Sequence, residues 1–325
     1  MSERAARFDT VGGPEVIRVE AVTLPDPGPG EVRLRTRVIG LNYIDTYHRS
    51  GLYPVELPSG LGGEAAGVVE AIGEGVSEVA VGDRVATFGP ARGAYATAYN
   101  APASSLFKLP DDIDDRTAAA VLLKGCTVEM LVERCARVQL GQAVLVPAAA
   151  GGVGHLLVGW LKAVGATVIA TVGSEAKVEA ARYAGADHVI LNRVEDVAAC
   201  VRAITGGAGV AVALDGVGAA TWESTLASMA RRGYIASFGN AGGAVMGVAL
   251  TTLARHGSLT VTRPTLFDYY VMPEERAAGV ARVWEMLRSG AITPEIGREF
   301  ALDDAAEAHR AMEAGETQGS SVMLP

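Results

Sequence analysis

The chain has 325 residues, of which 49% are hydrophobic and 20% charged, with 40 Gly but only 6 Phe and 3 Trp. That length accommodates two domains, and the composition describes a globular chain with an aliphatic core and many tight turns. A formal net charge of −9 argues against a broad nucleic-acid or anionic-membrane surface, so an anionic ligand would need a local positive site.

Cys126, Cys135 and Cys200 are odd in number and widely spaced, which points to reduced thiols rather than a disulfide framework, and no pair has zinc-finger spacing. The opening MSERAARFDT lacks an apolar signal core, and no apolar run approaches transmembrane length. The cytoplasm is the expected location.

Residues 1–120 read as β-rich. Alternating or apolar runs at 16–22, 32–38, 67–72 and 84–86 are separated by turn clusters such as Pro25-Asp26-Pro27-Gly28-Pro29-Gly30 and Gly73-Glu74-Gly75. Residues 94–99 alternate weakly. The pattern predicts a small, partly open barrel. The texture changes at Asp114, where 117–122 and 127–132 read as helices with a break at Lys124-Gly125.

Residues 143–173 carry the main signal. An apolar run at 143–146 reads as a buried strand, followed by the small-residue turn Ala148-Ala149-Ala150-Gly151-Gly152-Val153-Gly154. Leu156, Leu157, Trp160, Leu161 and Val164 then recur on one helix face, Gly165 ends that helix, and 167–171 reads as a second strand. Strand, turn, helix and strand make a parallel βαβ unit whose turn has the spacing A-x-x-G-x-x-G, a variant of the dinucleotide fingerprint. One small residue permits the turn, one lets backbone approach a pyrophosphate, and Gly154 lets helix and strand pack closely. The helix N-terminus offers free N–H groups to phosphate. The plainer alternative is that small residues merely ease helix–sheet packing.

Beyond it, a helix at 174–183 starts at a Ser cap. A strand at 188–190, a helix at 194–204 and a strand at 210–214 follow, the last ending in Asp215-Gly216-Val217-Gly218. A helix at 221–231 precedes strands at 234–238 and 259–262. Helices at 273–289 and 303–314 and a strand at 320–324 complete the chain. Strands alternating with helices at this spacing predict a doubly wound parallel sheet.

Several segments together resemble the zinc-free quinone oxidoreductases, the zeta-crystallin-like group of the medium-chain dehydrogenase/reductase superfamily. They are IGLNYIDTYHRSGLYP (39–54), LPSGLGGEAAGVVE (57–70), LKGCTVEMLV (123–132), AAAGGVG (148–154), SFGN (237–240), VTRP (261–264) and TQGSS (317–321). The resemblance runs nearly end to end. It implies a Rossmann domain at 124–263, a GroES-like β-rich barrel domain at 1–123 and 264–325, and a last segment that returns to the barrel. It also implies a homodimer.

Zinc alcohol dehydrogenases resemble the chain but place a Cys within the 40–45 region and a His within a Gly-His-Glu triplet; here those positions hold Asn42 and Gly63. Neither residue supplies a zinc ligand. His48, His155, His188, His256 and His309 include no pair at helical ligand spacing, so no metal is expected. Without a Lewis acid to generate an alkoxide, alcohol oxidation is disfavoured. The family instead reduces electron-poor acceptors.

An NAD site usually ends its second strand in an acidic residue that bonds the ribose hydroxyls. Val172 stands near that position, and Val172-Gly173-Ser174 leaves room for a 2′-phosphate. Lys177, on the next helix's first turn, and Arg193, after the third strand, suit a phosphate. NADPH is therefore the expected cofactor. By resemblance Gly173 and Lys177 belong to its site. Asn192 departs from the group's usual Tyr: it can hydrogen-bond but not stack.

The resemblance carries over further cofactor positions. Asn42, Lys124 and Thr127 would line the nicotinamide and ribose end, and Ala150, Gly151, Gly152, Val153 and Gly154 the pyrophosphate. Ser174, Phe238, Gly239, Asn240, Arg263 and Gly319 complete the set. Their common place at strand ends implies a shared cleft.

For the chemistry, Tyr47 would hydrogen-bond a quinone oxygen or relay a proton, Tyr53 would shape the pocket, and Asn42 would orient the nicotinamide or donate to a developing oxyanion. Both tyrosines have a packing reading. Cys126 reads either as a thiol near the cleft or as an inert core residue. The expected function is NADPH-dependent reduction of a quinone, without nucleic-acid or membrane partners. Two alternatives stand beside it: an enone or alkenal reductase on the same scaffold, and an NADPH-binding structural or RNA-associated protein. The net charge of −9 disfavours the last.

Overall fold

The computed structural model describes residues 3–325. In chain order, the first elements are β1 (Glu3–Phe8), β2 (Arg18–Val22), β3 (Glu31–Leu41), α1 (Tyr43–Ser50), β4 (Ser59–Gly60), β5 (Glu64–Ile72), β6 (Arg84–Phe88), β7 (Ala98–Pro102) and β8 (Leu106–Lys108). Helix α2 (Asp115–Glu129) continues as a π-helical turn at Met130–Cys135. Then come β9 (Ala143–Val146), α3 (Gly152–Val164), β10 (Thr167–Val172), α4 (Val178–Tyr183), β11 (His188–Leu191), α5 (Val197–Ile204), β12 (Val210–Asp215), α6 (Trp222–Ser228) and β13 (Met229–Ser237). The chain closes with α7 (Leu250–Arg255), β14 (Thr260–Thr262), α8 (Leu266–Tyr269), α9 (Pro273–Arg288), β15 (Ile296–Ala301), α10 (Ala305–Glu313) and β16 (Ser320–Leu324).

Contacts divide the chain into two compact units: residues up to Leu123 with Ile296–Pro325, and Lys124–Glu295. Residues 264–295, expected with the barrel, make their contacts within the second unit, and the reason is α9 and its flanks. Arg282 pairs with Glu133 at 2.9 Å, His155 Nε2 contacts Thr293 O at 2.9 Å, and a Cβ on Gly159 would reach Ala291 O at 2.7 Å.

In the first unit a seven-stranded sheet has the order β15-β16-β3-β5-β6-β8 with β7 also on β3, and a small sheet has the order β2-β1-β4. Most pairings are antiparallel. β16 lies against β3 with Val322 opposite Gly40, so the terminal strand does return to this unit. Alternation along β3 places Val32 and Leu34 in one core with Val69 and Val85. Ile39 and Leu41 lie in another, with Ala305, Ala308 and Met312 of α10.

The second unit holds a six-stranded, wholly parallel sheet of order β11-β10-β9-β12-β13-β14. This is the doubly wound arrangement, and its order reverses between β9 and β12. Near-continuous apolar strands such as β10 are buried on both faces, as parallel sheets require.

The helix expected to break at Lys124-Gly125 is continuous, because Val121, Leu122, Cys126 and Val128 are buried around the glycine and packing outweighs its propensity cost of about 1 kcal/mol. The helix expected from Ser174 starts as a 3-10 turn at Glu175–Lys177, and Ser174 makes no side-chain cap bond. The segment read as the end of the sixth helix, 229–231, belongs to β13. Helix α1 has no counterpart in the sequence reading.

Candidate functional site

The small-residue turn after β9 is built without left-handed glycines. Ala148 takes the positive φ, 52°, and its carbonyl accepts from Gly151 N at 3.0 Å. Gly154 is needed for space: a Cβ there would press into Ala148 O and come within 2.8 Å of Ala149 Cα. Ala149 N donates to Thr171 O at 3.1 Å, which ties the turn to β10. Gly151 caps α3, a helix of 13 residues, without any side-chain bond to its first N–H groups, an arrangement that suits an anion.

At the end of β10 the chain places Gly173 beside Arg193 and Asn192. A Cβ on Gly173 would lie 3.6 Å from Arg193 Nε and 3.9 Å from Asn192 Oδ1, ordinary contact distances. Lys177 is half-buried, and its pKa is lowered first by burial and then by the Arg193 guanidinium. A desolvated ammonium beside a second cation is unfavourable alone and fits a dianion placed between them. The observed donor set therefore suits a phosphorylated dinucleotide.

The loops after β12 and β13 interlock. Buried Asp215 accepts from Val217 N (2.7 Å), Gly218 N (3.1 Å), Thr221 Oγ1 (2.7 Å) and Thr225 Oγ1 (3.0 Å). This organising carboxylate was not singled out from sequence; its signal is a lone Asp at a strand end ahead of two glycines and two threonines. The Phe238 ring lies against Gly216, where a Cβ would meet it at 2.8 Å. Arg263 donates to Ser237 O at 2.7 Å, and with Asn240 Nδ2 turned to Gly239 O its Oδ1 accepts from Arg263 at 3.1 Å. Phe238, Gly239, Asn240 and Arg263 thus form one group at the carboxyl edge of the sheet. Lys124 and Thr127 lie three residues apart on α2, and Lys124 is buried. Cys126, at 0% exposure, has the surroundings of a packed core thiol.

In the first unit, Asn42 is the N-cap of α1 and forms a reciprocal capping box with Asp45. Its Nδ2 donates to Glu64 Oε2 at 2.7 Å and reaches Gly40 O only at 3.4 Å. Glu64 is fully buried and its other oxygen accepts from Leu123 N at 2.6 Å. Sequence reasoning missed Glu64, although a single carboxylate at the head of the apolar strand EAAGVV was the available signal. Tyr47, one and a half turns on, is buried to 8% exposure and packs edge-on against Tyr53 with ring centroids 5.2 Å apart. Tyr53 N donates to Tyr47 O at 3.0 Å. So Asn42, Tyr47 and Tyr53 share one short helix and its exit. Gly319, at φ 60°, turns the chain into β16.

Behind α1, Tyr95 donates to Asp45 Oδ2 at 2.9 Å and its hydroxyl lies 3.4 Å from Nε2 of the fully buried His309. Burial, and then the Arg49 cation, pull the His309 pKa down to about 3. An unfolded histidine titrates near about 6.5. The unfolded chain therefore binds the extra proton first, and this contribution to stability, full above about pH 6.5, is lost as pH falls toward 3. His48, lowered to about 4 mainly by burial, acts in the same direction. We expect the Tm to fall steeply below pH 6 and the slope to flatten in His309→Gln. Parallel curves for variant and wild type in a pH-resolved thermal scan would remove His309 as a cause.

Residues 28–111 match the alcohol dehydrogenase GroES-like domain, and residues 152–280 match the zinc-binding dehydrogenase domain. A quinone oxidoreductase from Pseudomonas aeruginosa is 46% identical over 98% of each chain. The chain belongs to the zinc-free quinone oxidoreductases of the medium-chain dehydrogenase/reductase superfamily. The solved quinone oxidoreductase of Escherichia coli, complexed with NADPH, superposes with a TM-score of 0.97 at 43% identity, covering 99% of this chain and 100% of that one. A 2-haloacrylate reductase from a Burkholderia species is 41% identical over 99% of this chain and 98% of its own length. Among the described residues no three His, Cys, Asp or Glu side chains gather into a metal-holding group, and no helix is long and apolar enough to cross a membrane.

Proposed function

We propose that this quinone oxidoreductase family member is an NADPH-dependent reductase of quinones. The observation that carries the reading is the Lys177–Arg193 cation pair beside Gly173, at a strand end where an NAD site would hold a carboxylate. Bound NADPH would supply a hydride to an electron-poor acceptor. The chain's own groups bind, orient and hydrogen-bond. The N-terminus of α3 takes the pyrophosphate, and Lys177 and Arg193 take the 2′-phosphate. Asn240 and Arg263 brace the carboxyl edge. The Tyr47 phenol donates to the quinone oxygen as charge builds there, Tyr53 fixes the Tyr47 ring, and solvent restores the protons.

Steady-state kinetics across small quinones and enones with NADPH and NADH tests this reading. Quinone turnover with NADPH should dominate. Efficiency with NADH equal to or above that with NADPH would overturn the cofactor assignment. An enone preferred over every quinone would favour the alkenal-reductase reading, which the 2-haloacrylate reductase relative keeps open. Tyr47→Phe should lower kcat by about 10- to 100-fold, the range for one positioned donor, with NADPH affinity unchanged. Unchanged turnover would take Tyr47 out of the chemistry.

The homodimer reading finds support at the edge strand β14, beside a segment in which Met246 and Leu250 are 82% and 81% exposed. Sedimentation velocity checks it, and a monomer at micromolar concentration would end it. Free Cys126, Cys135 and Cys200 support a reducing, cytoplasmic setting, which localisation of the tagged chain would test.

A further inference from the structure

One buried phenol of the first unit has no part in the chemistry assigned to Tyr47. Tyr95 is at 0% exposure, in the apolar cluster that holds Ile39, Leu41, Leu61 and Ala308. Its backbone is fixed on both sides. The N–H donates to Leu61 O at 3.0 Å, and the carbonyl accepts from Ala6 N at 2.8 Å. The ring lies against Gly62, where any Cβ would overlap it. Phenylalanine would fill the same space, and a buried hydroxyl is costly unless it is bonded. The reason for the hydroxyl therefore lies in its partners.

Those partners lead to Asn42. Tyr95 Oη donates to Asp45 Oδ2 at 2.9 Å, and the same oxygen accepts from Asn42 N at 3.1 Å. Asp45 is at 2% exposure and closes the capping box with Asn42. A rotation of its carboxylate would break both bonds together. The phenol thus holds the carboxylate, and the carboxylate holds the residue that starts α1. Glu64 Oε2 holds the Asn42 amide from the other side, accepting from Nδ2 at 2.7 Å. Tyr95 is itself oriented from behind. Its one hydroxyl proton goes to Asp45, so His309 Nε2, 3.4 Å from Oη, carries the N–H of a neutral ring and points it at that oxygen. The row His309, Tyr95, Asp45, Asn42 lies wholly within the first unit.

We propose that Tyr95 is a positioning residue for the reduction: through Asp45, its hydroxyl fixes the Asn42 amide at the nicotinamide end of the site. The proposal rests on the role expected of Asn42 and on the NADPH-dependent quinone reduction proposed above. Of the row, only Asn42 is assigned a place beside the cofactor. Tyr95 acts by removing the other orientations that Asp45, and with it the first turn of α1, could take.

The test is a double-mutant cycle in quinone reduction by the full-length protein, run well below the lowest Tm of the four proteins, with fluorescence titration of NADPH alongside. Tyr95→Phe keeps the ring and removes the hydroxyl. Its kcat should fall about tenfold, the order of effect of a misplaced group, with NADPH affinity within about threefold of wild type. Asn42→Ser keeps an N-cap oxygen and removes the amide, and should lower kcat by itself. Adding Tyr95→Phe to Asn42→Ser should lower kcat by no more than about twofold further, because the amide to be positioned is gone. A hydroxyl that only supports the fold would reduce kcat by the same factor in both backgrounds, and that result would overturn the proposal. Wild-type kcat in Tyr95→Phe would overturn it too. So would a loss of NADPH affinity as large as the loss in kcat, since the damage would then be general. Each of these leaves the quinone-reductase reading intact. Wild-type kcat in Asn42→Ser would overturn the role of Asn42 and the proposal with it, and a wild type that reduces no quinone with NADPH would overturn the functional reading as well.

Discussion

Replacing both cations, as Lys177→Glu with Arg193→Glu, is expected to weaken NADPH by about a thousandfold while changing NADH by no more than about threefold. Two charge-assisted contacts to phosphate each contribute about 1.5–3 kcal/mol, and every 1.4 kcal/mol is about tenfold. The asymmetry follows from where the charges stand. Burial and the neighbouring guanidinium both work against the charged Lys177 in the empty protein, so a 2′-phosphate relieves an existing strain as well as forming contacts. NADH carries no charge at that position. The double variant exchanges a cation–cation pair for an anion–anion pair, so the protein without cofactor should melt close to wild type. Fluorescence titration of both cofactors reads the result. A parallel loss for NADH would show that these residues hold the whole adenosine end, and no loss for either would place the phosphate elsewhere.

The sequence made this end of the site legible because its signals are local. Fingerprint spacing, strand run and helix periodicity all lie within 143–173, and the absence of a carboxylate at Val172 is read one residue from the strand end. Even there one detail changed: the residue with positive φ is Ala148, and the glycines of the turn are there for room. The signals fail where structure depends on distant partners. Helix α1 has no apolar stripe to announce it; it is started by the Asn42–Asp45 box and held by Arg49, which donates to Gly12 O at 2.8 Å and pairs with Glu313 at 2.6 Å. Gly125 reads as a breaker because the packing that overrides it comes from residues far along the chain. Residues 264–295 read as part of the barrel because nothing local shows that Arg134 will donate to Glu275 O at 3.1 Å, with its guanidinium 4.8 Å from the Tyr270 ring centre. Glu64 was passed over for the same reason. A polar residue in an apolar strand is ordinary until its neighbours are known.

Glu64→Gln is expected to lower kcat by about 10- to 100-fold and the Tm by several degrees, from a side chain that differs by one heavy atom. Both Glu64 oxygens accept, one from Asn42 Nδ2 and one from Leu123 N, and the residue is fully buried. Glutamine offers one acceptor and one donor, so an N–H must face an N–H. A buried donor left unpaired costs about 1–3 kcal/mol, and a kilocalorie is worth about 2–4 °C in a chain of this size. The chain's least costly response is to turn the Asn42 amide over, which puts its NH₂ where the Asp45 N–H now donates. That opens the capping box and frays the first turn of α1, whose later residues include Tyr47. Turnover is therefore expected to fall further than NADPH affinity, because the phosphate contacts proposed above, Lys177, Arg193 and the start of α3, are not in α1. Gly40→Ala should lower the Tm further, since its Cβ would press on Ala119 O as well as on the same carboxylate, whose Cδ it would reach at 2.7 Å. Steady-state kinetics and thermal melts on the two variants decide it. If Glu64→Gln loses stability but keeps wild-type kcat, then the carboxylate only fills the interior, and Asn42 does not need a fixed orientation for the reaction.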